Sequence, residues 1–283
     1  MPYDITIIGG GINGAACADH LSHCGYQVVV LEQYHQAGLV TSSKSSKLIH
    51  GGLRYLESAQ FKLVHECLQQ RKYLVEHHPD LVKLVPFHIP VYDDNDRSPW
   101  LIRLGLSIYS LFSLTLFKTI NKANWQQLDN LKTKGLKTVF KYYDGQTNDT
   151  LLTQRVMQQA QDNGAQLITD AYFISANCAE DLCTIKYRQQ NNNHEISSRI
   201  IINASGPWVN QVLQNVMPAQ SPLEIELIAG THIVVAGKLD QGMYYLEAPQ
   251  DKRAVFVMPW TSATGENQIL IGTTESLFND SPE

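Results

Sequence analysis

Residues 3 to 32 constrain the fold more than any other stretch. A short β-rich run from Tyr3 to Ile8 ends in Gly9-Gly10-Gly11-Ile12-Asn13-Gly14. A helical pattern carrying Ala15, Ala16, Ala18 and Leu21 follows and closes near Gly25; Val28-Val29-Val30-Leu31 is a second buried strand with Glu32 at its end. Strand, glycine turn, helix, strand and acid, in that order, is the arrangement of a dinucleotide site. Gly9 permits the tight turn, Gly11 lets the backbone reach a pyrophosphate, and Gly14 allows close helix–strand packing, with Asn13 in the same turn. Phosphates then rest on the helix N-terminus, where unpaired N–H groups and the dipole favour negative charge. Glu32 can accept both hydroxyls of an adenosine ribose, which disfavours a 2′-phosphate and hence NADP.

A simple NAD domain continues with another helix and strand soon after the acid. Here Thr41 to Glu57 follows instead, reading T-S-S-K-S-S-K-L-I-H-G-G-L-R-Y-L-E. Thr41, Ser42, Ser45, Ser46, Lys47 and Leu48 offer hydroxyls and backbone N–H groups to a polar cofactor that extends past its pyrophosphate, which points to FAD. Gly51 and Gly52 let the backbone approach it closely, and His50, Arg54 and Tyr55 can then meet a substrate. The competing reading is a flexible polar loop. Lys47-Leu48-Ile49 is not linker composition, and Leu53, Leu56 and Phe61 restart an apolar pattern at once.

The remaining chain is globular in composition: 283 residues, 43% hydrophobic and 17% charged, enough for one large or two ordinary domains. The expected class is α/β, a doubly wound parallel dinucleotide-binding sheet with a βαβ start, joined to an antiparallel or mixed α+β substrate domain. Residues 1–90 and 135–215 are expected in the FAD-binding part, and 91–134 and 216–283 in the substrate part. Periodicity predicts a helix over 61–77, an edge strand over 84–92 because of Pro86 and Pro90, and a helix over 151–163. A third parallel strand is expected at 165–169, then a meander whose end, Ile200 to Ala204, rejoins the cofactor sheet. Strands dominate from Ile225 onward. Trp100 to Phe117 is the most apolar segment; Arg103 and its serines speak against a bilayer span, leaving a buried helix or one resting on lipid.

A net charge of -5 argues against a general nucleic-acid binder. The five cysteines are odd in number and lack metal-ligand spacing. They read as reduced packing residues in a cytoplasmic protein, with no metal expected. No charged and apolar leader precedes the first strand, so no secretory signal is expected.

G-G-G-I-N-G at the start, S-S-K-L-I-H-G-G-L-R-Y-L-E at 45–57, A-S-G-P-W-V-N at 204–210, G-T-H-I-V-V at 230–235 and D-K-R-A-V-F-V-M-P-W at 251–260 resemble FAD-dependent glycerol-3-phosphate dehydrogenase. The amino-acid and hydroxy-acid oxidases of the same flavoprotein superfamily share the fingerprint but not the serine-to-glutamate motif. The resemblance implies oxidation of glycerol 3-phosphate to dihydroxyacetone phosphate, with hydride to the flavin N5 and electrons to a quinone or other acceptor. It also implies that Ala204 and Gly206 lie against the cofactor. Arg54 suits the phosphate because a guanidinium pairs with it in bidentate fashion, and Tyr55 adds a hydroxyl. His50 and His232 are candidates for a base or flavin-side role. A peripheral membrane contact and a homodimer are open partners. Relatives continue beyond the position of Glu283, so a last strand of the cofactor sheet and further basic residues are expected to be missing. The alternatives are a flavin-binding fragment without turnover and a related FAD-dependent oxidase of a hydroxy or amino acid.

Overall fold

A computed structural model describes residues 1–262 and 264–279. The chain forms two compact units: Met1–Ser45 with Asn148–Leu227 and the residues from Phe278 on, and Ser46–Thr147 with Ile228–Leu277. The long helices, in chain order, are Ile12–His23 (α1), Phe61–His77 (α2), Pro99–Ser113 (α3) and Asp149–Asp162 (α4).

The first unit is built on a sheet in the order Val216–Met217, Ala171–Ala179, Leu182–Gln189, Asn192–Asn203, Tyr3–Ile8, Val28–Leu31, Gln166–Ile168. Its heart is parallel. Tyr3–Ile8 pairs with Val28–Leu31 on one side and with the end of Asn192–Asn203 on the other, and Gln166–Ile168 adds to Val28–Leu31. Period-2 alternation sends Ile5, Ile7, Val28 and Val30 into one core with Ala15 and Ala18 of α1 and Met157 and Ala160 of α4. The alanines let the two helices approach closely enough for Ser22 Oγ to reach the Ala160 carbonyl at 3.3 Å. Asn148 caps α4, accepting the Leu151 N–H at 3.2 Å. The α/β class and the βαβ start therefore hold.

The second unit carries a mixed sheet in the order His232–Ala236, Asn267–Gly272, Ala254–Thr261, Met243–Glu247, Val82–Tyr92, Leu136–Thr147, Leu48–Ile49, with Lys118–Thr119 also on Leu136–Thr147. Val64 and Leu68 of α2 and Leu106 and Tyr109 of α3 pack on it against Phe87, Tyr142, Met243 and Met258. Residues 46–90 and 135–147 fold here rather than with the cofactor sheet where they were expected. Val82–Tyr92 and Leu136–Thr147 pair from Val82↔Thr147 to Tyr92↔Leu136, too long a ladder to divide between units.

Three other expectations change. The strand through Pro86 and Pro90 is interior, because Met243–Glu247 meets it at Phe87 and His88 alone, the two N–H-bearing positions that follow Pro86. Ile225 to Leu227 lies outside any strand, which begins at Ile228. The cysteines are not all reduced: Cys178 and Cys183 face each other across a hairpin and are joined as a disulfide, while Cys17, Cys24 and Cys67 are free. The reduced-thiol argument for a cytoplasmic setting loses its support there.

Candidate functional site

In the first unit, the glycine turn is shaped by what would collide with a side chain. A Cβ on Gly9, at φ +106°, would stand 2.5 Å from the Ala204 carbonyl oxygen, and one on Gly14 would lie far inside contact distance of the Gly9 carbonyl. At Gly11 the space is open apart from Ser42 Oγ at 3.3 Å. Gly11 is also the residue that precedes α1, and no side chain of its own caps the helix. Instead Ser42 Oγ accepts the Ile12 N–H at 2.9 Å, so the serine stretch returns to the helix N-terminus. Asn13 is exposed in that first turn.

Glu32 stands where the reading placed it, at the end of Val28–Leu31. It accepts the Gly10 N–H at 2.6 Å and the Tyr34 N–H at 2.9 Å. Burial raises its carboxyl above the ordinary range, and the backbone hydrogen bonds from Tyr34 and Gly10 partly offset that. An open Gly11, a helix N-terminus and an acid one strand away fit the ADP half of a dinucleotide. Ser45 is otherwise engaged: its N–H and hydroxyl both donate to the Asp149 carboxylate, at 3.0 and 2.7 Å. Thr41 is exposed, and Gly206 begins a 3-10 turn over Gly206–Trp208.

Ser46, Lys47 and Leu48 belong to the second unit. Leu48 is part of the hydrophobic core, so its backbone alone faces outward, and Lys47 Nζ lies 5.4 Å above the Trp260 ring. His50 follows the short strand Leu48–Ile49, and Arg54 and Tyr55 sit exposed on the 3-10 turn Leu53–Leu56.

The sheet of this unit brings the candidate residues to one face. His232 pairs with Gly272, Gly272 with Phe256, and Phe256 with Tyr245, a row crossing neighbouring strands, so their side chains share one face. Gly272 has no side chain, and His232 leans over it: a Cβ there would be 2.5 Å from His232 Cδ2. The His50 ring packs on Phe256 with centroids 5.6 Å apart. At the Tyr245 end, Arg97 Nη1 donates to the Tyr245 hydroxyl at 3.4 Å and Arg97 Nε to Glu57 at 2.7 Å, with Glu247 3.8 Å away. Glu57 is held below the ordinary carboxylate range chiefly by its Arg97 hydrogen bond, with Arg54 contributing. Burial raises the Tyr245 phenol, while Arg97 and Arg54 act against that. His50 and His232 thus lie over the Phe256–Tyr245 row, and Arg54 sits exposed on the turn Leu53–Leu56.

Sequence reasoning missed the groups beneath His50. Asp144 is 1% exposed and accepts from Arg71 Nη1 at 2.8 Å and from the Gly51 N–H at 3.1 Å. The same Arg71 nitrogen donates to the Tyr109 hydroxyl at 2.8 Å. Burial alone would lower the Arg71 pKa, but Tyr109 and Asp144 hold it above its ordinary value. The available signal was Arg71 itself, which continues the buried Val64–Leu68 stripe of α2.

A glycine-turn βαβ unit with an acid on its second strand, joined to a mixed sheet bearing a His, Arg and Tyr surface, defines a dinucleotide-dependent oxidoreductase of the flavoprotein type. Residues 4–283 match the FAD dependent oxidoreductase (DAO) family, and the chain belongs to it. It is 35% identical to an aerobic glycerol-3-phosphate dehydrogenase of Escherichia coli (strain K12), over 99% of this chain and 55% of that protein. It is 33% identical to a D-erythritol 1-phosphate dehydrogenase of Brucella abortus (strain 2308), over 99% of this chain and 56% of that protein. A solved glycerol-3-phosphate dehydrogenase from Bacillus halodurans, complexed with FAD, superposes with a TM-score of 0.72 at 22% identity, covering 99% of this chain and 48% of that one. The last likeness speaks to fold. The chain spans about half the length of the curated relatives it matches.

Proposed function

We propose that this chain carries the FAD-binding and substrate-facing surfaces of a glycerol-3-phosphate dehydrogenase. The observation that supports it best is the shared position of His50 and His232 over the Phe256–Tyr245 row, with Arg54 and Tyr55 exposed on the turn Leu53–Leu56 that follows His50. Gly9 to Gly14, Glu32 and Ser42 would hold the ADP half of FAD, with Ser46, Lys47 and Leu48 offering backbone groups further on. Bound FAD supplies a two-electron acceptor for the hydride leaving C2 of the alcohol. Arg54 would pair with the substrate phosphate, and Tyr55 beside it would donate a hydroxyl hydrogen bond. His50 takes the hydroxyl proton, and an Asp144 oxygen lies 3.8 Å from His50 Nδ1. Phe256 and Tyr245 give this surface an apolar floor that strengthens the charge interactions above it.

The Brucella relative supports a second reading, D-erythritol 1-phosphate, whose polyol carries one more hydroxymethine carbon. Anaerobic mixing of FAD-loaded protein with each phosphate, followed by loss of the oxidised-flavin absorbance, separates the two. Bleaching by glycerol 3-phosphate supports the main reading, and bleaching by erythritol phosphate alone the second. No bleaching by either leaves a flavin-binding protein without this activity.

Transfer of electrons to a quinone places the reaction beside a bilayer, and α3 supports that placement. Trp100 (70% exposed), Leu101 and Leu104 on α3 present apolar surface, as do Leu111 (78%) near its end and Leu114 (91%) just past it. Arg103, Lys118 and Lys122 supply basic groups alongside. Among the described residues no helix is long and apolar enough to cross a membrane.

A further inference from the structure

We infer that Asp144 is a positioning residue for His50, held in register by Arg71 and Tyr109. The inference rests on the role given to His50 above. An ionised carboxylate in an apolar core is costly unless its lone pairs are engaged. Asp144 Oδ1 accepts from Arg71 Nη1 at 2.8 Å, from its neighbour's N–H at Gly145 at 3.0 Å, and from the Gly51 N–H at 3.1 Å. Oδ2 is left facing His50 Nδ1 at 3.8 Å. Neutralising Asp144 needs Arg71 alone, yet two of these interactions reach the His50-Gly51 segment.

Sterics fix the same segment from the other side. A Cβ on Gly51 would lie far inside contact distance of the Tyr109 hydroxyl and 2.6 Å from Leu68 Cδ2, so the backbone there is pressed against α2 and α3. Tyr109 is held in turn by Arg71, which also donates to the Tyr143 carbonyl at 3.2 Å. Burial raises the Tyr109 phenol well above its ordinary range, so it remains a neutral partner throughout the working pH range. Helix α2 meets the strand Leu136–Thr147 at one carboxylate, α3 is tied to it through Arg71, and that carboxylate accepts the N–H of the residue after His50. With Phe256 behind the ring and Asp144 Oδ2 3.8 Å from Nδ1, the imidazole is set from its backbone and its face, with the carboxylate nearby.

The test uses FAD-loaded protein and the variants Asp144→Asn, His50→Gln, their double, and Tyr109→Phe. Asp144→Asn is expected to lower the limiting rate of flavin reduction by glycerol 3-phosphate about 30-fold while the half-saturating concentration moves less than about threefold. In the double variant the added loss over His50→Gln should be under about threefold, since residues acting as a unit are not additive. Fully multiplicative losses, or an unchanged rate, overturn the inference. A second readout needs no turnover: in Asp144→Asn the Gly51 amide should exchange with solvent at least about tenfold faster and the His50 ring resonances should move. If both match the parent protein, the inference fails even where substrate is oxidised. If neither polyol phosphate reduces the flavin, the functional proposal fails while this readout still decides the positioning role. Should Asp144→Asn not fold, Tyr109→Phe is expected to speed Gly51 exchange several-fold, and unchanged exchange there overturns the inference.

Discussion

The imidazole of His232 occupies the space that a side chain on Gly272 would need, its Cδ2 standing 2.5 Å from where that Cβ would be. The two residues are direct partners in the ladder between His232–Ala236 and Asn267–Gly272. Gly272→Ala should therefore push the ring off the sheet face without breaking the ladder. We expect the rate of flavin reduction by glycerol 3-phosphate to fall about tenfold or more, equivalent to ~1.4 kcal/mol of barrier. Far-ultraviolet circular dichroism should be unchanged. An unaltered rate would show that His232 does not need this position.

Glu32 is expected to matter for cofactor affinity. Its two oxygens already organise the Gly10 and Tyr34 N–H groups, so removing them disturbs the turn as well as the ribose contact proposed for it. Glu32→Ala should weaken FAD binding by roughly 1–3 kcal/mol, the usual range for a hydrogen bond to a charged group. Quenching of flavin fluorescence on titration measures this directly. A dissociation constant within twofold of the parent value would remove Glu32 from the site.

His88 makes stability depend on acid. It is buried, its ring stacked on Tyr244 at 5.1 Å and its Nδ1–H donated to the Met243 carbonyl at 3.3 Å. Burial lowers its pKa from 6.5 to about 4, so the folded state keeps it neutral where the unfolded chain takes up a proton. Its contribution is intact above pH 6.5 and is lost progressively as pH falls to about 4, with a full loss of about 3 kcal/mol. Denaturant melts across this window should show that slope. His88→Phe, which keeps the stacked ring, should flatten it; an equal slope in the variant would assign the acid sensitivity elsewhere.

The lipid contact proposed for α3 is best probed at its exposed residues. Phe112 is not one of them, because it packs against the core and its ring stacks on Phe61 at 6.3 Å. Leu111, Leu114 and Leu116 are open, so Leu111→Ser with Leu114→Ser and Leu116→Ser should leave folding intact. The parent protein should co-sediment with anionic vesicles, less so at high salt, and the triple variant should stay in the supernatant. Equal sedimentation of the two would place lipid contact elsewhere.

Much of the first unit was legible because its signals are local. Gly9 to Gly14 and Glu32 are separated by one helix and one strand, and each residue's type follows from a demand of the turn it occupies. The second unit was harder to read, since its surface depends on ladders between distant strands. Nothing near His50 announces Phe256, Asp144 or Tyr109, and only the sheet register brings His232 to the same face. Pro86 and Pro90 misled in an instructive way. They forbid ladder bonds at their own positions, but a short neighbour can still dock at Phe87 and His88 next to them. The pairing of Cys178 with Cys183 depends on the hairpin register, which composition does not contain.

The parallel ladder at the centre of the first unit sets a timetable for synthesis. Tyr3–Ile8 has Asn192–Asn203 as one of its two neighbours, with Ile8 opposite Asn203, and Ala204 follows beneath Gly9. At about 5–20 residues per second, roughly 10–40 s pass on the ribosome between the two strands. Through that interval the glycine turn and the valine-rich strand after it have one side of their sheet unmade. The earlier strand therefore waits for the later one, and the glycine turn gains its second flank only once Asn192–Asn203 has emerged.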